Sequence, residues 1–404
     1  MLHEKISVPL RSQTDRTVRY AGIVNLGATG YMDAILQQFF MAPSFRNLIL
    51  SLSFPSEGGG ETVSAIKVKS DMVRIKASLR LAKELQIMFQ RLDTARNTPI
   101  CEKAEKSSEL AIRVGLHLIR SYLDRFDPTR FVTACEGCLR LHNEIRKPND
   151  AFRFAVALLE EMAFVLKNVK LQSDSNLKLE QVTGVTLVTE TTCRVCHVVS
   201  SVRRQHVWSP ALKIRGYKSV GHSLADMAKE ELHEARRYCA SCLKCTDQVS
   251  QTKLADLPSI LSFRLQRFEK GCKLPSRFEL PKRINVARFS HTKDERKVGR
   301  STCYELAGAV VHKGNYDGGR YYSYIRERDQ ASENSRWLRF WSESVHYVAY
   351  SDFEEECFGG PSCISTVDGK AISTCATMVF YERILDYITS AGRNTGILRR
   401  IKWD

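Results

Sequence analysis

The sequence lacks the long apolar segments that would place a chain in a membrane. The longest apolar candidate, Ala155 to Leu166, is interrupted by Glu160 and Glu161. It falls short of the roughly 20 residues that a membrane span needs. Residues 1–10 contain Glu4 and no apolar core, so they do not resemble a secretory signal. We therefore expect a cytoplasmic or nuclear protein, or one found in both compartments, without a membrane partner.

The sequence also lacks internal repeats, low-complexity tracts and any continuous run of basic residues. The formal net charge is +16 and the pI is near 9.3, but the cations are scattered, with the densest groups at 67–83, 293–300 and 399–402. None of these groups is interleaved with aromatic residues as in base-stacking modules. The pattern indicates a solvated basic surface. Weak contact with an acidic partner or with nucleic acid stays open as an alternative.

Thirteen cysteines in a chain expected to meet a reducing environment point to metal ligands or free thiols rather than disulfides. Two pairs have the spacing of zinc knuckles, namely Cys193 with Cys196 and Cys239 with Cys242. Two such pairs supply the four thiolates of a tetrahedral site, so we predict one structural Zn²⁺. Cys245 repeats the same spacing with Cys242, which leaves the identity of the fourth ligand open.

The hydrophobic pattern changes its period along the chain. Up to about residue 170 apolar residues recur at helical spacing, as in the run from Ala151 to Val165. After about residue 180 the period is two, and Leu261, Phe263 and Leu265 predict a half-buried strand. Residues 313–319 supply turn chemistry before a returning strand. A helical half followed by an antiparallel half predicts the α+β class.

One glycine- and asparagine-bearing loop leads into a predicted helix and carries a specific pattern. It reads Tyr20-Ala-Gly-Ile-Val-Asn25-Leu-Gly-Ala-Thr-Gly30-Tyr-Met-Asp. A helix N-terminus of this kind suits a nucleophilic thiolate and a nascent oxyanion. The stretch resembles the cysteine box of ubiquitin-specific proteases, Gly-Leu-x-Asn-x-Gly-Asn/Ala-Thr-Cys-Tyr-Met-Asn. Gly30 stands where that family has its catalytic cysteine, and Asn25 matches the residue that helps to form the oxyanion hole.

Further motifs of the same family follow in order along the chain. They are Asn149-Asp-Ala-Phe-Arg153-Phe154 for Gln-Asp-Ala-x-Glu-Phe, the two cysteine pairs for the zinc ribbon, His312-Lys-Gly314 with Gly319-Arg320-Tyr321 for the histidine box, and Trp337-Leu-Arg-Phe340-Trp341-Ser342 for Trp-x-x-Phe-Asn/Asp-Asp. The resemblance implies a papain-like fold with a helical thumb, an antiparallel β palm and zinc-ribbon fingers.

The departures from the family pattern fall on the chemistry. By the resemblance, the nucleophile position is Gly30, the general-base position is Arg320 and the orienting acidic position is Ser342, while the oxyanion-position residue Asn25 is retained. Glycine offers no attacking atom, and an arginine cannot accept a proton at physiological pH.

The resemblance also implies domain boundaries. They are an N-terminal extension at 1–19, a protease-like domain at 20–383 with its thumb at 20–170, its palm at 171–383 and its fingers at about 185–255, and a tail at 384–404.

Three functions follow as alternatives. The first is a pseudo-deubiquitinase that binds ubiquitin or ubiquitinated proteins without cleaving them. The second is an interaction scaffold with a basic surface that does not bind ubiquitin. The third is an active cysteine-type deubiquitinase, as the family similarity by itself would suggest. Two residues near these positions carry groups of the missing kinds, namely His312 as a base and Thr29 as a nucleophile. We expect His312 to be a packed strand residue and Thr29 to cap the following helix.

Overall fold

The computed structural model describes residues 19–54, 69–97, 125–138, 145–169, 172–173, 178–233, 236–291, 302–328, 336–367 and 369–384. The predicted extension at 1–19 and the tail at 384–404 lie outside these ranges except for Arg19 and Ile384. The domain boundaries given above therefore stay predictions.

The helices of the described residues concentrate in the first half of the chain, as the apolar spacing predicts. They are α1 (Gly30–Met41), α2 (Pro43–Leu50), α3 (Lys69–Asn97), α4 (Thr129–Cys138), α5 (Ala151–Asn168), α6 (Leu179–Thr183), α7 (Val220–Met227) and α8 (Tyr350–Phe358).

Two sheets account for most of the second half. The larger has the strand order β19 (Ser344–Val348), β18 (Trp337–Trp341), β17 (Gly319–Arg326), β16 (Cys303–Gly314), β21 (Lys370–Arg383), β12 (Ile260–Leu265) and β7 (Ala211–Leu212), with β15 (Arg283–Asn285) on β16 and β20 (Ile364–Val367) on β21. The smaller has the order β6 (Val199–Val207), β5 (Val185–Cys193), β11 (Gln248–Ala255) and β8 (Glu231–Leu232). All pairs in these two sheets are antiparallel except β12 with β7.

Four short two-stranded pairs complete the described structure. They are β1 (Gly22–Ile23) with β3 (Arg125–Phe126), β2 (Leu52–Ser53) with β4 (Gln172–Ser173), β9 (Arg237–Cys239) with β10 (Lys244–Thr246), and β13 (Phe268–Glu269) with β14 (Cys272–Lys273). The order of elements confirms the α+β class.

The larger sheet has a hydrophobic core on each face. Helices α1, α2, α3 and α5 cover one face, and α7 and α8 contribute to the core on the other. This arrangement corrects one expectation, because β12 is buried on both faces instead of half-buried. Even its Ser262 is buried, and the Ser262 hydroxyl donates to the Trp208 carbonyl at 3.4 Å. In a strand that is buried on both faces, the alternation of apolar and polar residues is weaker than in a half-buried strand.

Helix α1 is the central element of the first core. Every residue of α1 after Gly30 is buried. The Gln38 amide donates to the carbonyls of Ala309 and Tyr324 at 3.0 and 3.1 Å, and the Ser323 hydroxyl donates to the Ala34 carbonyl at 2.7 Å. These polar contacts fix the helix against β16 and β17 in one register.

In the described part of the chain, no helix has both the length and the apolar content to cross a bilayer.

One residue of α1 is a buried acid. Asp33 is 3% exposed, and neither of its carboxylate oxygens has a hydrogen-bond partner among the described residues. Burial raises the pKa of Asp33 well above its ordinary value. Gln37 lies one turn further on, and its Oε1 atom is also buried without a partner. A neutral carboxyl or amide side chain at position 33 suits this environment better than a carboxylate.

We predict that Asp33→Asn stabilises the protein by about 1–3 kcal/mol at pH 7, because it removes a buried group that must lose its charge on folding. The pKa of Asp33 is higher in the folded state than the unfolded value of about 3.9, so wild type loses stability as pH rises through this interval. The gain from Asp33→Asn should therefore shrink as pH falls towards 4. Urea unfolding at pH 7 and pH 4.5 measures it. Asp317→Asn, at an exposed turn carboxylate, is the control, and an equal gain at both pH values would contradict the account.

Candidate functional site

The loop before α1 is tied together by Asn25 and Thr29. The Asn25 Oδ1 atom accepts hydrogen bonds from the backbone N–H and the hydroxyl of Thr29, at 3.0 and 3.2 Å. The Thr29 Oγ1 atom accepts from the N–H of Leu26 at 3.0 Å. Thr29 is the N-cap residue of α1, yet its side chain makes no capping hydrogen bond to the helix. The expectation that Thr29 caps the helix is therefore wrong, because its hydroxyl is used to fasten the loop.

Gly30 begins α1 beside an open space. A β-carbon built on Gly30 would have two neighbours within 4 Å among the described residues outside the local helix backbone, the Asn25 Nδ2 atom and the Tyr321 carbonyl oxygen, each at 3.5 Å. These are ordinary van der Waals distances, and the φ of Gly30 does not lie in the left-handed region. The site would therefore accept a β-carbon without strain. Glycine here is not required by the backbone.

The strand leading into the loop is held by the β18–β19 turn. The N–H of Ile23 donates to the Ser342 carbonyl at 3.0 Å. A β-carbon on Gly22 would lie 2.3 Å from the carbonyl oxygen of Glu343, so the two backbones are in direct contact there. On the other side β1 pairs with β3. Three sequence motifs that are far apart in the chain, around residues 20–33, 319–323 and 337–343, thus meet at one place.

The β16–β17 hairpin places Arg320 directly opposite Lys313. The Asn315 side-chain oxygen closes the turn by accepting from the N–H groups of Asp317 and Gly318, at 3.0 Å each. Arg320 and Lys313 are both exposed. Arg320 immediately precedes Tyr321, whose carbonyl contacts the space beside Gly30. Sequence analysis singled out Arg320 but missed Lys313, since only the strand register brings the two together.

The strand pairing shows which side chain shares a face with Arg320. Side chains alternate along a strand, so Arg320 and Tyr322 lie on the same face of β17. Trp341 ends β18, and its ring stacks on Tyr322 with centroids 4.9 Å apart and 8° between the planes. Ser342 follows outside the strand with a φ of +51°. Trp341 therefore shares the face of Arg320, whereas alignment of motifs had drawn attention to Ser342. Neither residue carries a carboxylate.

His312 is packed inside the sheet, as expected. It is 4% exposed and lies between the rings of Phe268 and Tyr321, with centroid distances of 5.3 and 4.7 Å. Burial, helped by the nearby charge of Lys273, lowers the pKa of His312 to about 3. A β-carbon on Gly319 would come within 2.4 Å of its Nε2 atom, so the ring occupies the space beside that glycine.

Lys273 fastens the open end of the hairpin. Its ammonium group donates to the carbonyls of Ser373, His312 and Gly314, at 2.6, 2.8 and 3.1 Å. These three acceptors match the three donors of an ammonium group. Burial lowers the pKa of Lys273 to about 8. The contact links β14 to the ends of β16 and β21, and nothing in the sequence pattern marked it.

Four cysteines meet at the far end of the smaller sheet. The Sγ atoms of Cys193, Cys196, Cys239 and Cys242 all lie within 4.8 Å of one another. Cys193 and Cys242 are 3.9 Å apart, and Cys196 and Cys239 are 3.5 Å apart. Zinc–sulfur bonds of about 2.3 Å in a tetrahedron require sulfur separations of about 3.8 Å. The four residues therefore fit a structural Zn²⁺ site, and Cys245 is exposed and outside the group.

Both knuckles have the same backbone form. The residue after the second cysteine adopts a left-handed conformation in each, with φ of +56° at His197 and +54° at Leu243. Such values are uncommon for residues other than glycine. The Thr246 hydroxyl lies 3.2 Å from the Cys193 sulfur, and this hydrogen bond is the main cause that lowers the pKa of Cys193 to about 6. A thiolate is the form that binds a metal.

We predict that the purified chain contains about one zinc ion, measured by inductively coupled plasma mass spectrometry, because the four thiolates form a closed site. Cys239→Ser should lower the zinc content and the melting temperature, since it removes one ligand. Cys245→Ser is the matched control in the same segment and should change neither quantity. Zinc loss in Cys245→Ser, or zinc-free wild type, would contradict the assignment.

The sequence profile "Ubiquitin carboxyl-terminal hydrolase" matches residues 21–381. Mouse ubiquitin carboxyl-terminal hydrolase 9Y is 26% identical over 385 residues, which cover 84% of this chain and 14% of that protein. The probable ubiquitin carboxyl-terminal hydrolase FAF of Drosophila melanogaster is 26% identical over 390 residues, covering 88% and 14%. Human ubiquitin carboxyl-terminal hydrolase 34 is 24% identical over 401 residues, covering 91% and 10%.

The chain thus spans between a tenth and a seventh of the length of these curated relatives, so the similarity concerns one region of each. The matched region includes the loop before α1, the four cysteines and the β16–β17 hairpin. The family match extends over most of the chain and all of the sites described above. The chain belongs to the ubiquitin carboxyl-terminal hydrolase family.

Proposed function

We propose that this chain is a pseudo-deubiquitinase, a domain that binds ubiquitin or ubiquitinated proteins without cleaving them. The observation that carries the proposal is Gly30. It begins a buried helix at the junction of three family motifs, in a position where a β-carbon would fit, and it has none. The motifs around it meet as described above, through the contacts of Ile23 with Ser342 and of Gly30 with Tyr321.

The chemistry of acyl transfer supports this view. Hydrolysis through a cysteine needs a thiolate and a base that forms it. In subtilisin, loss of the nucleophile or the base lowers kcat by about 10⁶-fold. Here the corresponding positions are Gly30 and Arg320, and the two candidates for an orienting carboxylate are Trp341 and Ser342. Asn25 keeps its amide nitrogen towards the space beside Gly30, so an oxyanion donor alone is left.

The stand-ins considered from the sequence offer no replacement. His312 has a pKa lowered to about 3 by burial, which makes it a weak base, and its ring is enclosed. The Thr29 hydroxyl is engaged by Asn25 and Leu26. Among the other thiols, burial raises the pKa of Cys135 and of Cys357 well above the ordinary value. These groups favour a packed, unreactive state.

A groove beside α5 offers a surface for a folded partner. It has a volume of about 730 Å³ and lies between one face of α5 and the end of β6. Its wall includes Phe152, Val156, Phe164 and Trp208. Aromatic residues with nearby arginines are typical of protein interfaces, and the guanidinium of Arg74 lies 3.8 Å from the centre of the Phe164 ring. We propose that this groove is part of the surface that contacts the body of ubiquitin.

The basic surface favours a second candidate, an interaction scaffold that binds an acidic protein or nucleic acid. Lys76, Arg80 and Lys83 are exposed at successive turns on one face of α3, whereas Arg74 turns inward to Glu161. Two of the other basic groups, 293–300 and 399–402, lie outside the described residues. Binding of nucleic acid that falls steeply with salt, without any binding of ubiquitin, would support this candidate over the first.

We predict that the wild-type chain does not cleave a fluorogenic ubiquitin substrate and that restoring the missing groups recovers cleavage. The restored variants carry Gly30→Cys and Arg320→His with either Trp341→Asp or Ser342→Asp. Because Trp341 shares the strand face of Arg320, the Trp341→Asp variant should be the faster by at least about ten-fold. Initial rates at equal protein concentration measure the difference.

The matched control replaces Gly30→Cys by Gly30→Ala in each restored variant and should be inactive. Thermal melting checks that each variant folds, since Trp341→Asp also removes the stacking on Tyr322. Cleavage by wild type above a protein-free blank would overturn the proposal and support the third alternative, an active deubiquitinase.

We further predict that ubiquitin binds wild type and that Val156→Glu weakens the binding by about ten-fold or more, because it buries a charge in the α5 groove. Isothermal titration calorimetry measures both affinities. Thr133→Glu, which adds the same charge at an exposed position of α4, should leave the affinity unchanged. If the wild-type chain shows no binding of ubiquitin, the proposal is wrong.

A further inference from the structure

The side chains of Arg320 and Lys313 form a pair of like charges on adjacent strands. They are direct partners in the β16–β17 ladder, so both project from the same face. Both are exposed, and in the described part of the chain no carboxylate pairs with either. Like charges directly opposite each other destabilise an antiparallel pair. An anion bound between them would relieve that repulsion.

The pair lies next to the space that Gly30 leaves open. The carbonyl of Tyr321 borders this space, and Arg320 is the preceding residue. Consecutive Cα atoms are about 3.8 Å apart, so the Cα atom of Arg320 lies about 3.8 Å from that of Tyr321. The space beside Gly30 is therefore within the reach of a side chain as long as that of Arg320. Arg320 is the second residue of β17 and is exposed, so the length and freedom of its side chain would have to bring the guanidinium to this space when a ligand is bound.

Asn25 adds a neutral donor whose direction is fixed. Its Oδ1 atom is held by two hydrogen bonds from Thr29, so the Nδ2 atom must face away from that residue. Nδ2 and the Tyr321 carbonyl oxygen each lie 3.5 Å from the β-carbon position of Gly30. A donor and an acceptor that border the same space match the end of an extended peptide. The peptide N–H would meet the carbonyl and its terminal oxygens would meet the donor.

We propose that Arg320, Lys313 and Asn25 form a receptor for a free C-terminal carboxylate, so that the chain prefers ubiquitin with an unconjugated tail over ubiquitin whose tail is linked through an amide. This inference rests on the proposed function and adds the ligand state that the site selects. A carboxylate can accept two parallel hydrogen bonds from a guanidinium, whereas an amide carbonyl has neither the charge nor the second oxygen. A histidine-based hydrolytic site would have no such preference built in.

The test compares free ubiquitin with ubiquitin whose C-terminal carboxylate has been converted to a primary amide, both titrated into the full chain by calorimetry. We expect the carboxylate form to bind at least about ten-fold more tightly, and the ratio to shrink as salt is raised. Arg320→Gln should bring the ratio of affinities close to one. Lys313→Gln should reduce it in part. Arg288→Gln removes the same charge from an exposed position on another element and should leave the ratio unchanged.

The outcomes separate this inference from the function on which it rests. Equal binding of the two forms by wild type overturns the carboxylate receptor and leaves ubiquitin binding standing. A preference that survives Arg320→Gln also overturns it, because the selecting group would then lie elsewhere. Binding of neither form overturns the proposed function itself. Circular dichroism of each variant excludes misfolding as the cause of a change.

Discussion

The contact between α1 and the large sheet is the constraint on which the rest of the site depends. Helix α1 is buried along its whole length after Gly30, and Gln38 and Ser323 set its register against β16 and β17 through hydrogen bonds to backbone carbonyls. A helix enclosed in this way cannot shift without breaking several buried polar contacts at once. Its first residue, Gly30, therefore lies at one fixed position, beside the carbonyl of Tyr321.

This fixed position of α1 explains how, under the proposed function, the architecture of the site could be kept without its chemistry. The packing depends on residues that point into the core, whereas the groups needed for hydrolysis would project into a crevice at the edge. Substitutions at Gly30 and Arg320 do not disturb the core, because the space beside Gly30 is open and Arg320 is exposed. A frame of this kind can lose catalysis without losing the surfaces that surround it. Binding is the activity that we propose for such a frame.

The smaller sheet has a local constraint of a different kind, the four-cysteine cluster. Strand β6 is exposed along nearly its whole length, so this sheet has little core of its own near its tip. A tetrahedral metal ion held there would join the ends of the two knuckles and take the place of the missing hydrophobic contacts. The groove beside α5 lies at the other end of β6, where His206, Val207 and Trp208 contribute to its wall. The position of the smaller sheet therefore shapes the proposed binding surface.

Much of the fold could be predicted from the sequence, because the signals are local. The spacing of the cysteine pairs gave all four cluster residues, and the helical period gave α1, α3 and α5. The features that could not be predicted depend on which strands pair and on which side chains pack together in the fold. The opposition of Lys313 to Arg320 and the shared face of Trp341 follow from strand register, and the unpaired burial of Asp33 follows from tertiary packing. Residues next to each other in a motif can face opposite ways in the fold.

The most direct test of the central claim is intact-mass spectrometry of the wild-type chain mixed with ubiquitin that carries a thiol-reactive group at its C-terminus. The spectrum is recorded first under native and then under denaturing conditions. The account predicts a one-to-one complex in the native spectrum, at protein concentrations high enough to saturate a tail without a free carboxylate, and only the unmodified chain after denaturation, because no competent thiol faces the tail. A covalent adduct that survives denaturation, on any of the thirteen cysteines, would contradict it.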